Sequence, residues 1–418
     1  MEDDDWDVIV IGGGAAGLLA ACRAAERGRR TLLVEKKKRP GAKILMSGGS
    51  RCNLTHAAER CDIVEAFGDQ GPFLHSALAA LSPQGVIDLL EAEGVATKVE
   101  PGGKIFPQSD RAADVLAALL ARLRRTDCTL ALQEPLADLQ RADVGFRLAT
   151  PEQTLLARSV ILATGGQSYP SSGSTGDGYG WSAALGHTIV APRPALVPIT
   201  THAPWVRALQ GITMPDTLVR VLEPGGEGSA SRVLAERREA LLFAHFGITG
   251  PAVLDVSRAV SGHARPAALV VRCDFLPGMK QESLESLLQQ ECLAAGRRLA
   301  VGILARWLPQ RLAETIAQRA ELPAERRAAE LSRPERQSLV RGAKQFDIPV
   351  AGTMGFRKAE VTAGGVALEE VDSHTMQSKI VPGLFFAGEL LDLDGPIGGY
   401  NFQAAFSTGW LAGENAAP

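Results

Sequence analysis

The sequence predicts an α/β protein, a Rossmann-type dinucleotide-binding domain interrupted by an inserted domain of different texture. Three observations carry this reading. Residues 7–11 (DVIVI) are a short β-branched apolar run of the kind buried in parallel sheets; a glycine cluster, an alanine-rich segment to about Arg27 and a second apolar run at 31–34 follow. Two further apolar runs, 160–163 and 384–387, also end in glycine. From about 195 the texture changes: prolines at 192, 194 and 198 mark a crossing, short β-like runs follow at 217–222 and 267–274, and a tract rich in Arg, Ala, Leu and Gln covers 281–343. The expected domains are residues 1–194 and 351–418, two pieces of one dinucleotide domain, with 195–350 as the insert.

The first turn carries the strongest local signal. Gly12, Gly14 and Gly17, with Ala15 and Ala16 between them, form G-x-G-x-x-G after a strand and before a helix, and Glu35 follows eighteen residues after the last glycine. Gly12 permits the tight turn, Gly14 lets a pyrophosphate approach the backbone, and Gly17 lets the helix pack closely on the strand. The helix N-terminus offers free N–H groups and the positive end of a dipole. Glu35 can accept hydrogen bonds from adenosine ribose hydroxyls, and Lys36 is within reach of the adenosine. The remaining run of basic side chains, 37–39, reads as a solvated face.

Further along, helices are expected at 72–81 and 83–93 and a hairpin at 95–106. Ser109 is placed to cap a helix running through Leu123, which carries apolar residues at 115, 116, 119 and 123. Strands are expected at 129–132, 146–150, 154–157 and 160–163, the middle pair as an antiparallel meander. A final helix starts near Asn401.

Two later segments decide between FAD and NAD. The strand at 160–163 ends in Thr164, Gly165 and Gly166, small residues that suit a chain crossing close to a flavin dinucleotide. The strand at 384–387 ends in Gly388 and Glu389, an acid that can bond a ribityl hydroxyl at the carboxyl end of the sheet. NAD has no ribityl chain, so FAD is the expected cofactor. Residues 224–228 (PGGEG) lack a buried strand before and a helix after, and read as a turn. With no second nicotinamide-type domain, NAD(P)H would act as a transient electron donor docking on the flavin or the insert.

Composition sets outer bounds. A length of 418 residues suits two to three domains, and 45% apolar with 22% charged residues supports a large core. The net charge of −3 argues against a nucleic-acid binder. The acidic first residues and an apolar stretch at 8–21 broken by four glycines argue against a signal peptide or membrane span. Six cysteines with no CxxC pair fit a reducing cytoplasm, and no cluster has metal-ligand spacing. Cys52 has no partner at disulfide-reductase spacing and reads as a small buried residue. The oligomeric state is not encoded in any recognisable pattern.

Read together, several segments resemble one family, the BaiN-like or aminoacetone oxidase-like bacterial NAD(P)/FAD-dependent flavoproteins. They are 41–55 (GAKILMSGGSRCNLT), 104–107 (KIFP), 163–166 (ATGG) with 175–178 (TGDG), 245–251 (HFGITGP), 363–366 (AGGV) and 391–401 (LDLDGPIGGYN). The resemblance implies an FAD-binding domain of glutathione-reductase type, interrupted by a mixed β-barrel and helical insert. It implies a flavin ring between the loop at 47–53 and the turn at 398–401, with the Leu136 backbone on the adenine. Near that ring, Ser47, Gly48 and Gly49 can present N–H and hydroxyl groups to the flavin. Lys43, Arg51 and Asn53 are candidates to orient substrate or stabilise charge, with bracing of the loop as the other reading for Arg51 and Asn53. Gly399, Tyr400 and Asn401 would place a helix N-terminus at the other edge of the ring, and Tyr400 or His245 is a candidate proton donor.

The expected function is hydride transfer between FAD and a small-molecule substrate. Four readings remain: reduction of an activated C=C bond with NAD(P)H as donor, oxidation of an aminoacetone-like amine by oxygen, a flavoprotein acting on tRNA, and a non-catalytic FAD-binding scaffold. A basic face on the arginine-rich helices at 297–341 would favour the RNA reading.

Overall fold

The computed structural model describes residues 6–225 and 230–417; the acidic start and residues 226–228 of the expected turn lie outside the described residues. The chain divides into one unit formed by Met1–Pro194 with Glu360–Pro418 and a second formed by Ala195–Ala359.

In the first unit, the opening strand Trp6–Ile11 is central because both its neighbours can cover an all-apolar run. It pairs in parallel with Thr31–Glu35 on one side and with Thr154–Leu162 on the other. Beyond Thr31–Glu35 lies Thr129–Leu132, also parallel. The strand Thr154–Leu162 joins what the sequence suggested were two strands. Its first half pairs antiparallel with Phe146–Ala149 as part of a meander with Asp138–Arg141, and its second half pairs in parallel with Trp6–Ile11. Leu384–Phe386 adds in parallel to the far side of that second half, with Phe386 opposite Leu162. The carboxyl ends of four strands therefore finish together, at Ile11, Glu35, Leu162 and Phe386. In an open α/β sheet that edge is where ligands bind.

The opening helix, Ala15–Glu26, packs along the C-terminal helix, Tyr400–Asn415. Small residues make this possible. A Cβ on Gly409 would overlap the Ala16 carbonyl oxygen, and one on Gly413 would overlap that of Ala20. The two helices run in the same direction, and the C-terminal helix begins at Tyr400, well before its contact with Ala16 at Gly409, so it reaches roughly 12 Å beyond the start of the first helix at Ala15. Phe385, Phe386 and Phe406 are fully buried in the core around them.

Two local expectations change. The helix expected from Ser109 runs over Ala112–Arg124 with Arg111 in the capping position and no side-chain cap, so Ser109 lies outside it. Residues 68–92 are apolar enough to meet a length-and-composition test for a membrane-crossing helix. They form a 3-10 turn at Gly68–Leu74 and helices His75–Ala80 and Pro83–Ala92, broken where Leu81 is extended and Ser82 caps the next helix through its bond from Gly85 N–H.

The second unit is built on a seven-stranded sheet in the order Phe346–Pro349, Val270–Asp274, Thr213–Glu223, Arg232–Ala244, Gly247–Thr249, Ile199–Thr200, Gly352–Thr353. The recorded pairings within it are antiparallel, where a mixed barrel was expected. Its two outermost strands are joined by residues 350 and 351 alone, a link of roughly 10 Å at most. The sheet is therefore curled until its edges nearly meet, which is the barrel character. Because Gly352–Thr353 pairs with Ile199–Thr200, residues 351–359 belong to the insert and not to the second piece of the dinucleotide domain. Helices Gln281–Ala294, Ala300–Leu304, Gln310–Arg319 and Arg333–Lys344 occupy the tract read as helical.

Candidate active site

The first turn divides its glycines between packing and approach. Gly12 has φ +106°, and a Cβ there would lie 2.5 Å from the Ala163 carbonyl oxygen. A Cβ on Gly17 would overlap the Gly12 carbonyl oxygen, so this residue sets the contact between helix and strand. Gly14 differs: a Cβ there would meet nothing within 4 Å. Gly14 stands at the N-cap of the opening helix with no side-chain cap, so the N–H groups of Ala15 and Ala16 lie in the first turn, where intrahelical partners do not reach. Glu35 braces the turn, accepting from Gly13 N–H through Oε2 and from Lys37 N–H through Oε1, each at 2.8 Å. Each carboxylate oxygen keeps further acceptor capacity for a ribose hydroxyl. The N–H groups of Gln133 and Glu134 bond to the Lys37 and Glu35 carbonyls at 3.1 Å, which lays the chain leading to half-buried Leu136 against this end of the sheet.

Next to the turn, two lysines are held by acids. Lys43 donates to Glu389 Oε2 and Ser168 Oγ, both at 2.6 Å, and Glu389 Oε1 accepts from Ser168 Oγ at 2.6 Å and from Thr362 N–H at 2.9 Å. Oε1 is thus occupied by two bonds from the chain, whereas Oε2, with Lys43 alone, keeps acceptor capacity for a further hydroxyl. Lys36 bonds Asp177 at 2.5 Å and Thr175 at 2.6 Å, strapping the end of the second strand to the 173–177 loop. Burial works against the Asp177 charge, but the Lys36 and Thr175 bonds outweigh it and hold the carboxyl below its ordinary range. Thr164 and Gly165 (φ +73°) follow the strand, and Gly178 has no room for a Cβ because Thr164 Oγ1 occupies the place. Gly388, with φ +71°, donates its N–H to Thr408 Oγ1 at 3.0 Å and lies against Ala16.

The loop after Lys43 is unusual backbone. Ser47 leaves helical geometry, and Gly48, Gly49 and Ser50 follow with φ of +55°, +68° and +68°. Cys52 repeats this at +64°. Left-handed conformations at Ser50 and Cys52 cost on the order of 1–3 kcal/mol each and persist only where surroundings impose them. A Cβ on Gly49 would meet nothing within 4 Å, so the tip of the loop is open, whereas Gly48 packs 3.0 Å from the Phe106 ring by the same measure.

Arg51 and Asn53 hold this loop in place. Arg51 bonds Glu100 at 2.7 Å and its guanidinium lies 4.0 Å over the Phe106 ring; the Glu100 bond raises its pKa further above the ordinary arginine value. Asn53, with its amide oriented to satisfy both ends, donates to the Thr55 and Ile105 carbonyls at 3.1 and 3.2 Å and accepts from Gly399 N–H at 3.1 Å. A Cβ on Gly399 would lie 2.5 Å from the Thr55 carbonyl carbon. The loop and the 398–401 turn are therefore in direct contact at Asn53 and Gly399 and form one wall, with the loop tip at Gly49 open. Asn401 closes that turn on itself, donating to the Gly395 carbonyl and accepting from Gly395 N–H, both at 2.9 Å. Tyr400 stacks on His56, centroids 4.7 Å apart and planes 22° off parallel, and His56 Nδ1 lies 3.0 Å from the Gly398 carbonyl.

Burial pushes the Cys52 thiol up to about 12, against a smaller opposing effect of its bond with Ser47. It stays protonated near neutral pH, and all six cysteines are free.

A family model described as HI0933-like protein Rossmann domain matches residues 6–415. The chain belongs to the HI0933-like family. Among the relatives of this HI0933-like chain, a ribosomal RNA dihydrouridine synthase of Escherichia coli (strain K12) is 34% identical over 383 residues, 90% of this chain and 89% of the relative. A 3-dehydro-bile acid delta(4,6)-reductase of Clostridium scindens is also 34% identical over 383 residues, 90% of each. Among solved structures, 3-ketosteroid delta1-dehydrogenase from Sterolibacterium denitrificans aligns with TM-score 0.52 at 16% identity over 99% of both chains, a likeness of fold. This HI0933-like chain is an FAD-dependent oxidoreductase. Its residues fit that cofactor: an open approach at Gly14 on the opening helix N-terminus, a braced acid at Glu35, and a second helix N-terminus at Tyr400 farther out beyond the same sheet edge.

Sequence reading placed the glycines, Glu35, Lys43 and the 47–53 and 398–401 segments at this edge, but it missed His56, Ser168 and Thr362. His56 directly follows the segment that carries the resemblance, and that adjacency was the available signal. Ser168 and Thr362 gave none: Ser168 meets Lys43 and Thr362 Oγ1 meets Gln167 N–H, both across more than a hundred residues, and the Thr362 N–H bond to Glu389 follows no local pattern. His245, a candidate proton donor, belongs to the second unit and stacks edge-on against Phe246.

Proposed function

We propose that this HI0933-like flavoprotein adds two hydrogens across a carbon–carbon double bond conjugated to a carbonyl, with NAD(P)H as the source of the electron pair. Making dihydrouridine from uridine and reducing a 3-dehydro-bile acid at its ring double bonds are, chemically, this same operation. The two relatives therefore share a reaction type although their substrates differ in size.

The observation that carries the reading is the Tyr400–His56 pair at the start of the C-terminal helix. Reduction of such a bond needs a hydride at the carbon remote from the carbonyl and a proton at the carbon beside it. Bound FAD supplies the hydride chemistry. Among the hydroxyls of this wall Ser47 donates to the Ile44 carbonyl at 3.0 Å, whereas Tyr400 carries a phenol, a stronger acid than a serine hydroxyl; we assign Tyr400 the proton delivered beside the carbonyl, and solvent restores it. His56 is a positioning residue. Its Nδ1 faces a carbonyl, which can only accept, so Nδ1 carries a hydrogen, and the ring lies flat against the phenol. The N-terminal N–H groups of the same helix favour the partial negative charge that builds on the substrate carbonyl. In balance, one hydride equivalent leaves NAD(P)H, one proton leaves Tyr400, and the C=C becomes CH–CH.

Anaerobic stopped-flow tests this. NAD(P)H should bleach the flavin, and an enone or a uracil-containing substrate should restore it. Tyr400→Phe should leave the bleaching step intact and slow restoration about a hundredfold or more, with the pH dependence of that step altered. Bleaching by a primary amine, peroxide in air and indifference to every conjugated C=C would replace this reading with an amine oxidase.

A further inference from the structure

The C-terminal helix Tyr400–Asn415 buries a polar cluster one turn below the Tyr400 phenol. Gln403 and Ser407 on this helix, and Thr55 facing it, are each fully shielded from solvent. A buried amide is costly unless its donors and acceptor find partners. Gln403 meets that condition at both ends. Its Oε1 accepts from the Thr55 hydroxyl at 2.6 Å, and its Nε2 donates to the Leu81 carbonyl at 3.0 Å and to Ser407 Oγ at 2.8 Å. The Leu81 carbonyl is freed where the chain breaks between helices His75–Ala80 and Pro83–Ala92. Ser407 already donates to that carbonyl at 2.7 Å, so the break does not by itself call for a glutamine. What Gln403 adds is the bond to Thr55.

That bond reaches the residue before His56. The two belong to a strand of only two residues, Thr55–His56, paired along one edge with Lys104–Pro107. So short a ladder fixes its own orientation weakly. On the helix, Tyr400 and Gln403 are three residues apart and share a face. Tyr400 stacks on His56 while Gln403 holds Thr55, which fastens the strand to the helix at two successive residues. A movement that slid the His56 ring off the phenol would stretch the Thr55 bond.

We infer that Gln403 is a positioning residue, whose bond to Thr55 keeps His56 stacked on Tyr400 and so fixes the phenol for proton delivery. That role rests on the proton assigned to Tyr400 above. Displacing a reacting group by about 1 Å can cost on the order of a hundredfold in rate, so a side chain that touches no reacting atom can still set the speed of the step.

The test uses the FAD-loaded full chain with ring-labelled histidine, and His56→Gln identifies the His56 signal among the seven histidines. Stacking on the phenol should shift the His56 ring-proton signal upfield of its place in Tyr400→Leu. Gln403→Met and Thr55→Val, which remove the bond at nearly constant volume, should lose that shift, and Thr55→Ser, which keeps a hydroxyl, should retain it. In anaerobic stopped-flow, Gln403→Met should keep its flavin and the bleaching by NAD(P)H, and slow restoration by an enone about tenfold or more. Gln403→Met/Tyr400→Phe should restore as fast as Tyr400→Phe alone, within about twofold, because a residue acting through the phenol has nothing left to act on. A general loss of structure would multiply with Tyr400→Phe instead. If Gln403→Met folds poorly, Thr55→Val and Thr55→Ser carry both readouts. A His56 signal unmoved in Gln403→Met and Thr55→Val overturns the inference. Where Tyr400→Phe is slow, wild-type restoration by Gln403→Met, or a loss that multiplies with Tyr400→Phe, overturns it too. Should Tyr400→Phe itself restore at the wild-type rate, the proton assignment fails, and the His56 signal alone decides whether Gln403 holds the stack.

Discussion

Gly409→Ala sets two physical effects against each other. In an exposed helix interior, Ala in place of Gly stabilises by about 1 kcal/mol. Here the added Cβ would overlap the Ala16 carbonyl oxygen and lie 2.8 Å from its carbon and Cα. Neither partner is a flexible side-chain end that could swing away, so the two helices must separate. Overpacking of this kind costs about 1–3 kcal/mol. With backbone atoms on the receiving side the cost falls at the upper end of that range and should win, leaving a net loss of up to about 2 kcal/mol, or up to roughly 4–8 °C in melting temperature for a unit this large. Because the displaced helices begin at Ala15 and Tyr400, flavin affinity should fall with stability. Thermal unfolding of the apo- and FAD-loaded forms, with visible flavin absorbance for occupancy, measures both. A rise in melting temperature with full flavin retention would show that the helix contact does not have the tightness described, and the reasoning would fail.

Other perturbations separate folding from chemistry. Gly14→Ala meets no protein atom within 4 Å, so apo stability should stay within about 1 kcal/mol while FAD titration shows at least tenfold weaker binding. Cys52→Ala should keep flavin reduction, and alkylation of the native protein at mildly alkaline pH, read by peptide mass, should mark exposed Cys61 and spare Cys52. Acid sensitivity should involve His187, which is buried, bonded to Ser378 at 2.8 Å and 3.3 Å from Glu370. Burial lowers its pKa, more than Glu370 raises it. The unfolded chain therefore takes the proton first, and stability should decline as pH falls below about 6.5. In His187→Gln that part of the decline should vanish from melting curves between pH 7.5 and 5.5.

What the sequence made legible was local. The strand–turn–helix at the start could be read because glycine spacing and apolar runs sit within thirty residues of one another. The final strand could be read as a companion of the one ending at Leu162, since both are short, apolar and followed by glycine. Roles that depend on distant partners were hidden. Arg51 and Asn53 are donors in any reading, and nothing local shows that one faces Glu100 and the other Gly399. Glu389 stood out because an acid ends a strand there, but nothing local shows that Lys43, at the other end of the chain, holds one of its oxygens. A whole-chain charge likewise cannot show that the dinucleotide unit holds 22 Lys and Arg against 31 Asp and Glu while the insert holds 22 against 16.

The divided dinucleotide unit has a consequence for how the chain is made. Val160, Ile161 and Leu162 emerge about 220 residues before Leu384, Phe385 and Phe386, which cover their outer edge. At ordinary translation rates of about 5–20 residues per second, that apolar rim waits roughly 10–40 s for its neighbour. An uncovered hydrophobic strand edge is a template for wrong pairing between nascent chains. Slowed elongation within the insert should therefore lower soluble yield, and early FAD cannot rescue it, because one wall of its site has yet to be translated.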